Sequence, residues 1–125
     1  MILGTGIDLV DVDRVRTSLS RHGSRFLEKF LRPEELDYCR QHKDPALPAA
    51  ARWAAKEAVA KAFGTGFGAQ LGWTDIEISK NELGAPIVEL HGKARDLMEN
   101  RAATMIHISL THERNFAAAF AVLEK

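Results

Sequence analysis

The sequence predicts an α+β fold in which an antiparallel sheet, built from hairpins, packs against helices. Two pairs of β-prone runs, 75–78 with 87–90 and 105–111 with 116–123, are each separated only by a short turn. Residues 48–63 carry apolar side chains at helical spacing. Because the strands follow one another instead of alternating with helices, this fold is favoured over a doubly wound α/β sheet, which is the second alternative.

The N-terminal third predicts a strand followed by helices. Residues 2–10 are β-prone and interrupted by glycines, so Asp8 lies inside this strand or at its end. Asp11 or Asp13 can cap a first helix, whose apolar pattern is interrupted at Gly23.

Three further helices are predicted from their start and stop signals. Pro33 precedes two glutamates, a pattern typical of a first helical turn, and this helix should end before Pro45. The alanine-rich helix over 48–63 is followed by Gly64, which is placed to end it. A last helix over 93–100 precedes the second hairpin.

Composition narrows the class of protein. The chain has 125 residues, of which 46% are hydrophobic and 27% charged, as expected for one globular domain spanning 1–125. Its 17 basic residues balance 17 acidic ones, so no global field favours nucleic acid. Cys39 is the only cysteine, no apolar run is long enough to cross a membrane, and residues 1–4 lack the basic start of a signal peptide. These features predict a cytoplasmic protein without disulfides.

A charged stripe runs along the alanine-rich helix. Trp53, Glu57 and Lys61 are spaced four residues apart and therefore share one face, with Arg52 and Lys56 beside them. An ordinary solvated face with a Glu57–Lys61 ion pair explains this pattern without any function. A second acidic residue near Glu57 is needed before the pattern favours a metal site over a solvated helix face.

Asp8 supplies that second group. An acidic residue inside a β-prone, glycine-bracketed segment is unusual unless a cation or a donor meets it. Two carboxylates, phosphate oxygens and water are the shell that Mg²⁺ prefers, so Asp8 and Glu57 are a candidate magnesium pair. The alternative is that Asp8 accepts backbone hydrogen bonds at the strand end.

Two other segments carry weaker signals. The loop that contains Gly64, Thr65 and Gly66 lets backbone amides approach a phosphate, although a plain helix-ending loop explains it equally well. His112 follows a β-prone run beside Ser109, where it serves either as a ligand-binding residue or as part of a hairpin turn. The histidines and the cysteine show no zinc-ligand spacing.

Three segments, 6–8, 53–61 and 109–112, together resemble the motifs of the phosphopantetheinyl transferases, in their order and spacing. The middle segment is the specific one, and the chain length resembles the short branch that acts on acyl carrier protein. The resemblance implies an enzyme of fatty acid biosynthesis that moves 4'-phosphopantetheine from coenzyme A to a carrier-protein serine. The other product is adenosine 3',5'-bisphosphate.

The resemblance also implies residue roles. Asp8 and Glu57 bind Mg²⁺ and, with Lys61, carry catalysis; either Glu57 or a water on the cation takes the serine proton. Two-domain relatives have a further acidic residue where this chain has Val10, which leaves the number of protein ligands open. The residues implied for coenzyme A are Arg52, Lys61, Gly64, Thr65, Gly66, Ser109 and His112.

The partners implied are an acyl carrier protein and further copies of this chain. The segment 11–32 is basic, and Arg14, Arg21 and Arg25 share one face if the helix continues through Gly23, which predicts a dock for an acidic carrier. The short branch further implies a homotrimer with active sites between subunits. Two rival functions are a non-catalytic coenzyme A or nucleotide-binding module and a metal-dependent phosphoesterase.

Overall fold

The computed structural model describes residues 1–125 and contains five strands, five helices and one short 3₁₀ turn. In chain order the elements are β1 (Ile2–Asp11), α1 (Val12–His22), α2 (Ser24–Glu28), α3 (Pro33–Arg40), α4 (Ala46–Phe63), the 3₁₀ turn (Trp73–Asp75), β2 (Ile76–Lys80), β3 (Pro86–Leu90), α5 (Gly92–Asn100), β4 (Met105–His112) and β5 (Phe116–Glu124).

All strand pairs are antiparallel. One sheet has the order β1-β5-β4, and the other is the β2-β3 hairpin. The predicted α+β class and both hairpins are therefore confirmed, and the doubly wound alternative is wrong. Asp75, the first residue of the predicted run 75–78, belongs instead to the 3₁₀ turn, and His112 is the last residue of β4.

Helix α4 packs on one face of the three-stranded sheet, and two glycines of β1 allow a close approach. A Cβ on Gly4 would lie 2.1 Å from the carbonyl oxygen of Ala62, and one on Gly6 would lie 1.8 Å from that of Ala58. No side chain fits at either distance. The small residues of both elements thus bring β1 against the C-terminal half of α4.

The N-terminal helices cover the other half of α4. Asp11 caps α1 by accepting a hydrogen bond from the Asp13 backbone amide. Gly23, with φ of 64°, ends α1 and precedes the short helix α2, so the interruption predicted there is confirmed. No helix of the protein is both long and apolar enough to span a lipid bilayer.

The opposite face of the sheet is apolar and uncovered. Alternate residues of β5 point away from α4, and their neighbours on β1 and β4 point the same way. The large exposed side chains of this outer sheet face are Ile7, Leu9, Met105, Phe116 and Phe120, with 41–66% of their surface accessible. His107, Ser109 and Thr111 of β4 lie on the same face, which therefore combines large exposed apolar side chains with polar ones, and exposed apolar side chains in this number are typical of an interaction surface.

Candidate functional site

The contact between β1 and α4 brings Asp8 and Lys61 together. The Lys61 ammonium donates to the Ile7 carbonyl oxygen at 2.8 Å and to Asp8 Oδ1 at 3.2 Å. Asp8 is largely buried, whereas half of the Lys61 side chain is accessible to solvent. The ion pair predicted between Glu57 and Lys61 does not form, because Lys61 turns to β1 instead.

Glu57 lies one helical turn before Lys61 on the same face, and its carboxylate has no ion pair or hydrogen bond within the chain. Partial burial raises the pKa of this carboxyl, the negative charge of Asp8 raises it further, and Lys61 opposes the rise. Lys61 supplies one positive charge against the two negative charges of Asp8 and Glu57, so one negative charge is left uncompensated within the chain. Their donor set fits a hard divalent ion such as Mg²⁺.

Lys56 belongs to a different environment, although it is next to Glu57 in sequence. Its ammonium is fully buried and donates to Glu35 Oε1 at 2.7 Å, to the Phe30 carbonyl at 2.5 Å and to the Trp73 carbonyl at 3.2 Å. Burial lowers the pKa of Lys56, and Glu35 opposes that shift. Lys56, which was expected beside the stripe of Glu57 and on the same side of the helix, faces the interior instead, because one residue rotates the side chain by about 100° around a helix.

Arg52 lies on this buried side as well, one turn before Lys56. Only 3% of its surface is accessible, its guanidinium stacks on the Tyr38 ring at 4.2 Å, and Nη1 donates weakly to the Pro48 carbonyl at 3.4 Å. The structure therefore does not bring Arg52 to Asp8 and Glu57, and this placement does not support the phosphate role predicted for it.

The loop after α4 is built from glycines with left-handed backbones. Gly64 has φ of 79° and Gly66 has φ of 62°, while the Thr65 hydroxyl donates to the Gly66 carbonyl. The Phe67 ring stacks on Trp73 at 3.8 Å and anchors the loop. The amides of Thr65 and Phe67 donate to no acceptor in the chain, so both remain available to an anion.

Ser109 and His112 are not beside Asp8 in the same chain. Ser109 is paired with Phe120 and lies on the outer sheet face, whereas Asp8 faces α4. His112 ends β4, which is separated from β1 by β5, so at least two strand spacings of roughly 10 Å together lie between them. Of the residues predicted for the metal and for coenzyme A, the chain alone brings together only Asp8, Glu57 and Lys61 beside β1.

A recess of about 260 Å³ opens beside Asp8, between the end of β1, α1 and α4. Arg14, Phe26 and Trp53 contribute to its wall. Sequence reasoning missed the recess, because Phe26 and Trp53 meet only through the packing of α2 on α4, where their rings stack at 6.1 Å.

The three arginines proposed for docking do not share one continuous helix face. Arg14 and Arg21 lie on α1, but Gly23 ends that helix and Arg25 belongs to α2. The shared face required a helix that continues through Gly23, and that condition is not met, because the backbone of Gly23 redirects the chain. Arg14 is the one that lines the recess beside Asp8.

A second acidic group, on the β2-β3 hairpin, was not predicted. Ligand atoms of Glu77, Glu89 and His91 lie within 4.8 Å of one another. Glu77 Oε1 is 2.9 Å from His91 Nε2 and 3.4 Å from Arg32 Nε, so its charge already has partners in the chain. This cluster is a poorer match to a divalent cation than Asp8 and Glu57.

Comparison with known proteins decides the family. Residues 4–121 match the family model described as the 4'-phosphopantetheinyl transferase superfamily. The chain belongs to this superfamily. The predicted resemblance is thereby confirmed, and it extends over nearly the whole chain and not only over the three motifs.

Relatives within the superfamily match along their full length. The chain is 46% identical to a holo-acyl-carrier-protein synthase of Maridesulfovibrio salexigens over 125 residues, covering 100% of both chains. It is 44% identical to that of Syntrophus aciditrophicus over 124 residues, covering 99% of this chain and 97% of the relative.

Solved structures of transferases from the same superfamily share the fold. The holo-acyl-carrier-protein synthase of Neisseria meningitidis superposes with a TM-score of 0.93 at 34% identity, covering 100% of both chains. That of Helicobacter pylori, solved in complex with coenzyme A, gives a TM-score of 0.85 at 33% identity, covering 96% of this chain and 99% of the other.

Proposed function

We propose that this transferase acts as a holo-acyl-carrier-protein synthase, which moves 4'-phosphopantetheine from coenzyme A to a serine of an apo-acyl carrier protein. In this reaction the serine oxygen bonds to the β-phosphorus, the pyrophosphate bond breaks, and adenosine 3',5'-bisphosphate leaves. The names of its full-length relatives and the coenzyme A complex of one structural neighbour support this function. In the cell this reaction would serve fatty acid synthesis in the cytoplasm, with residues 1–125 acting as one domain.

The observation that carries the proposal is the Asp8–Glu57 pair with Lys61 beside it. Glu57 has no partner in the chain, and partial burial, together with the nearby charge of Asp8, raises the pKa of its carboxyl. Asp8 and Glu57 would hold Mg²⁺, which neutralises the charge that develops on the pyrophosphate oxygens. Lys61 is half exposed and near enough to the same position to donate to a phosphate oxygen.

The complete site, we infer, lies between subunits of a homotrimer. The outer sheet face is apolar and exposed, and Ser109 lies on it, whereas Asp8 and Glu57 lie on the side of α4. A second copy that covers this face would carry its own Ser109 and His112 to a neighbour. A heterologous contact that closes after three copies gives three equivalent sites with coenzyme A held between chains.

The carrier protein would approach along α1. Arg14 is exposed, lines the recess beside Asp8 and has no ion pair, so it is available to an acidic carrier at the point where the serine must enter. Arg21, further along α1, and Arg25, on α2, do not line the recess and would contribute only long-range attraction.

Mass spectrometry of an apo-acyl carrier protein incubated with the enzyme, coenzyme A and Mg²⁺ tests the proposal. We expect the carrier to gain the mass of one phosphopantetheine, and the gain to disappear when a chelator removes the metal. A binding module would leave both substrates intact, and a phosphoesterase would cleave coenzyme A without modifying the carrier. Either of these outcomes would exclude the proposed function.

A further inference from the structure

We propose that Arg101 is a specificity-determining residue, which binds the 3'-phosphate of coenzyme A above the glycine loop. The inference rests on the proposed function for its substrate. Its structural basis is the position of this arginine, which none of the three sequence motifs contains.

Arg101 follows the last turn of α5 and projects over the loop that follows α4. Its Nη1 atom lies 3.9 Å from the position that a Cβ would occupy on Gly64. The guanidinium makes no ion pair and no hydrogen bond within the chain, and the residue is exposed. Five N–H donors are therefore free beside a loop whose backbone is not covered by a side chain.

The loop contributes donors of its own. The amides of Thr65 and Phe67 have no acceptor in the chain, and the left-handed residues Gly64 and Gly66 flank Thr65. Successive amides in such turns form a concave site that attracts anions. With the Arg101 guanidinium on one side, the arrangement matches a phosphate, which accepts both backbone and bidentate arginine hydrogen bonds.

The anion site formed by the amides of Thr65 and Phe67 and the Arg101 guanidinium lies at the C-terminal end of α4, and this position indicates which phosphate it binds. Gly64 follows Glu57 by seven residues, which is about 10 Å along the helix axis. The reacting pyrophosphate must lie at Asp8 and Glu57, so the loop faces a different anionic group. Coenzyme A has one further phosphate, on the ribose 3' oxygen, and a ribose with a phosphate on each side covers a span of this order.

The backbone next to Arg101 fixes where this residue leaves α5. Ala102 has φ of 52° and is the only non-glycine residue with a left-handed backbone. The Ala103 amide donates to the Met98 carbonyl and the Ala102 amide to the Glu99 carbonyl, so Ala102 is the left-handed residue of a common helix C-terminal turn. It reverses the chain directly after α5 and holds Arg101 beside the loop before β4 begins at Met105.

A purely structural role is the alternative. Arg101 lies near the C-terminal end of α4, where a positive charge stabilises the helix through its dipole. That role would lower stability upon substitution but would not distinguish coenzyme A from 3'-dephospho-coenzyme A, because both leave the helix end unchanged.

The test is steady-state transfer by wild-type and Arg101→Gln enzymes with coenzyme A and with 3'-dephospho-coenzyme A. We expect Arg101→Gln to raise KM for coenzyme A about 10- to 100-fold, with little change for the dephospho substrate, so that the preference of the wild type collapses. Arg101→Lys should retain part of the preference. Arg95→Gln is the matched control, because it removes a charge from the same helix and Arg95 donates only to the Leu90 carbonyl.

The outcomes separate this inference from the proposed function. If the wild type transfers phosphopantetheine and Arg101→Gln keeps the full preference for coenzyme A, the role of Arg101 is wrong while the function stands. An equal loss with both substrates, accompanied by a lower unfolding temperature, would also overturn it in favour of the structural role. If the wild type transfers nothing from coenzyme A, the proposed function itself fails.

Discussion

The two sides of α4 both carry charged side chains, but those on one side are buried, whereas those on the other side are partly exposed. On the buried side, Lys56 meets Glu35 and two carbonyl oxygens, and every hydrogen of its ammonium has an acceptor. On the exposed side, Glu57 has no partner, and Lys61 is shared between Asp8 and a strand carbonyl. Lys56 and Glu57 are neighbours in sequence, yet one stabilises the fold and the other is free to bind a ligand.

The difference shows how a buried charge and a site charge can be distinguished. Glu35 accepts hydrogen bonds from the Arg32 and Ile78 backbone amides as well as from Lys56, so α3, α4 and β2 are joined through one carboxylate. Such a network is complete within the chain, and removing one member leaves a buried charge. Glu57 has no such network within the chain, and for this reason it is the residue of α4 that we propose as a ligand of Mg²⁺.

The largest expected effect is on the exposed side. Glu57→Gln and Asp8→Asn should each reduce transfer by about 10²-fold or more, because an anionic metal ligand is lost without a change in size. Transfer is measured as carrier modified per unit time, and circular dichroism checks the fold. Near-wild-type turnover in either variant would remove the metal hypothesis.

Glu57→Gln should also change how the unfolding temperature depends on metal. The raised pKa of Glu57 means that its ionised form is disfavoured in the folded protein without metal, so this contribution to stability falls as pH rises through the range where the carboxyl ionises. In metal-free buffer at neutral pH, Glu57→Gln should therefore unfold at a temperature no lower than that of the wild type. Mg²⁺ should raise the unfolding temperature of the wild type but not that of the variant.

The buried side should show the reverse behaviour. Lys56→Met should lower the free energy of unfolding by about 3–5 kcal/mol, because Glu35 is left charged and buried without its cation. Urea denaturation measures the loss. Lys61→Met is the matched control and should cost less than about 1 kcal/mol, because Lys61 is half exposed. Equal losses in the two variants would contradict the distinction between the two sides.

Mixing of inactive subunits tests whether a neighbouring subunit contributes His112 to the active site at Glu57. Glu57→Ala and His112→Ala are each expected to be inactive as pure proteins. After exchange at equal amounts, about a quarter of the interfaces in a trimer pair an intact metal half with an intact histidine half, so a corresponding share of activity should return. Labelled subunits verify exchange. No recovery after verified exchange, or full activity of a monomer, would exclude the shared site.

Substitution of Gly6 tests whether activity requires the close approach of β1 to α4. Gly6→Ala would place a Cβ 1.8 Å from the Ala58 carbonyl oxygen, which forces β1 away from α4. We expect a loss of about 1–3 kcal/mol in stability, together with lower activity as Asp8 moves from Glu57. Gly68→Ala is the control, because its Cβ would meet no atom within 4 Å. Unchanged activity in a destabilised Gly6→Ala enzyme would show that the spacing matters only for the fold.

The smallest effect concerns the proposed dock. Arg14→Glu should raise KM for the carrier protein several-fold, about 10-fold at most, and leave KM for coenzyme A nearly unchanged, with the difference shrinking at high salt. Arg25→Glu should have a weaker effect, because Arg25 lies on the separate helix α2 and does not line the recess. Equal changes in both Michaelis constants for Arg14→Glu would argue against docking at this position.

The sequence alone determined the α+β class and both hairpins, and it singled out Asp8 and Glu57 as a candidate pair. These features depend on local patterns, since turn residues specify the hairpins and a spacing of four specifies a helix face. The resemblance added the reaction, because its motifs keep their order along the chain.

Only the tertiary structure decided which charges of α4 are buried. Arg52, Lys56 and Lys61 are all basic residues of α4. Tyr38 of α3 and the segment at Trp73 cover the side of α4 that carries Arg52 and Lys56, and the sequence of the helix does not show which elements pack there. The proximity of Arg101 to Gly64 is likewise a feature of the tertiary structure, because the two residues are far apart in the chain. A helix sequence specifies which side chains share a face, whereas the burial of that face depends on elements distant in sequence, and burial determines whether a charge stabilises the fold or remains available to a substrate.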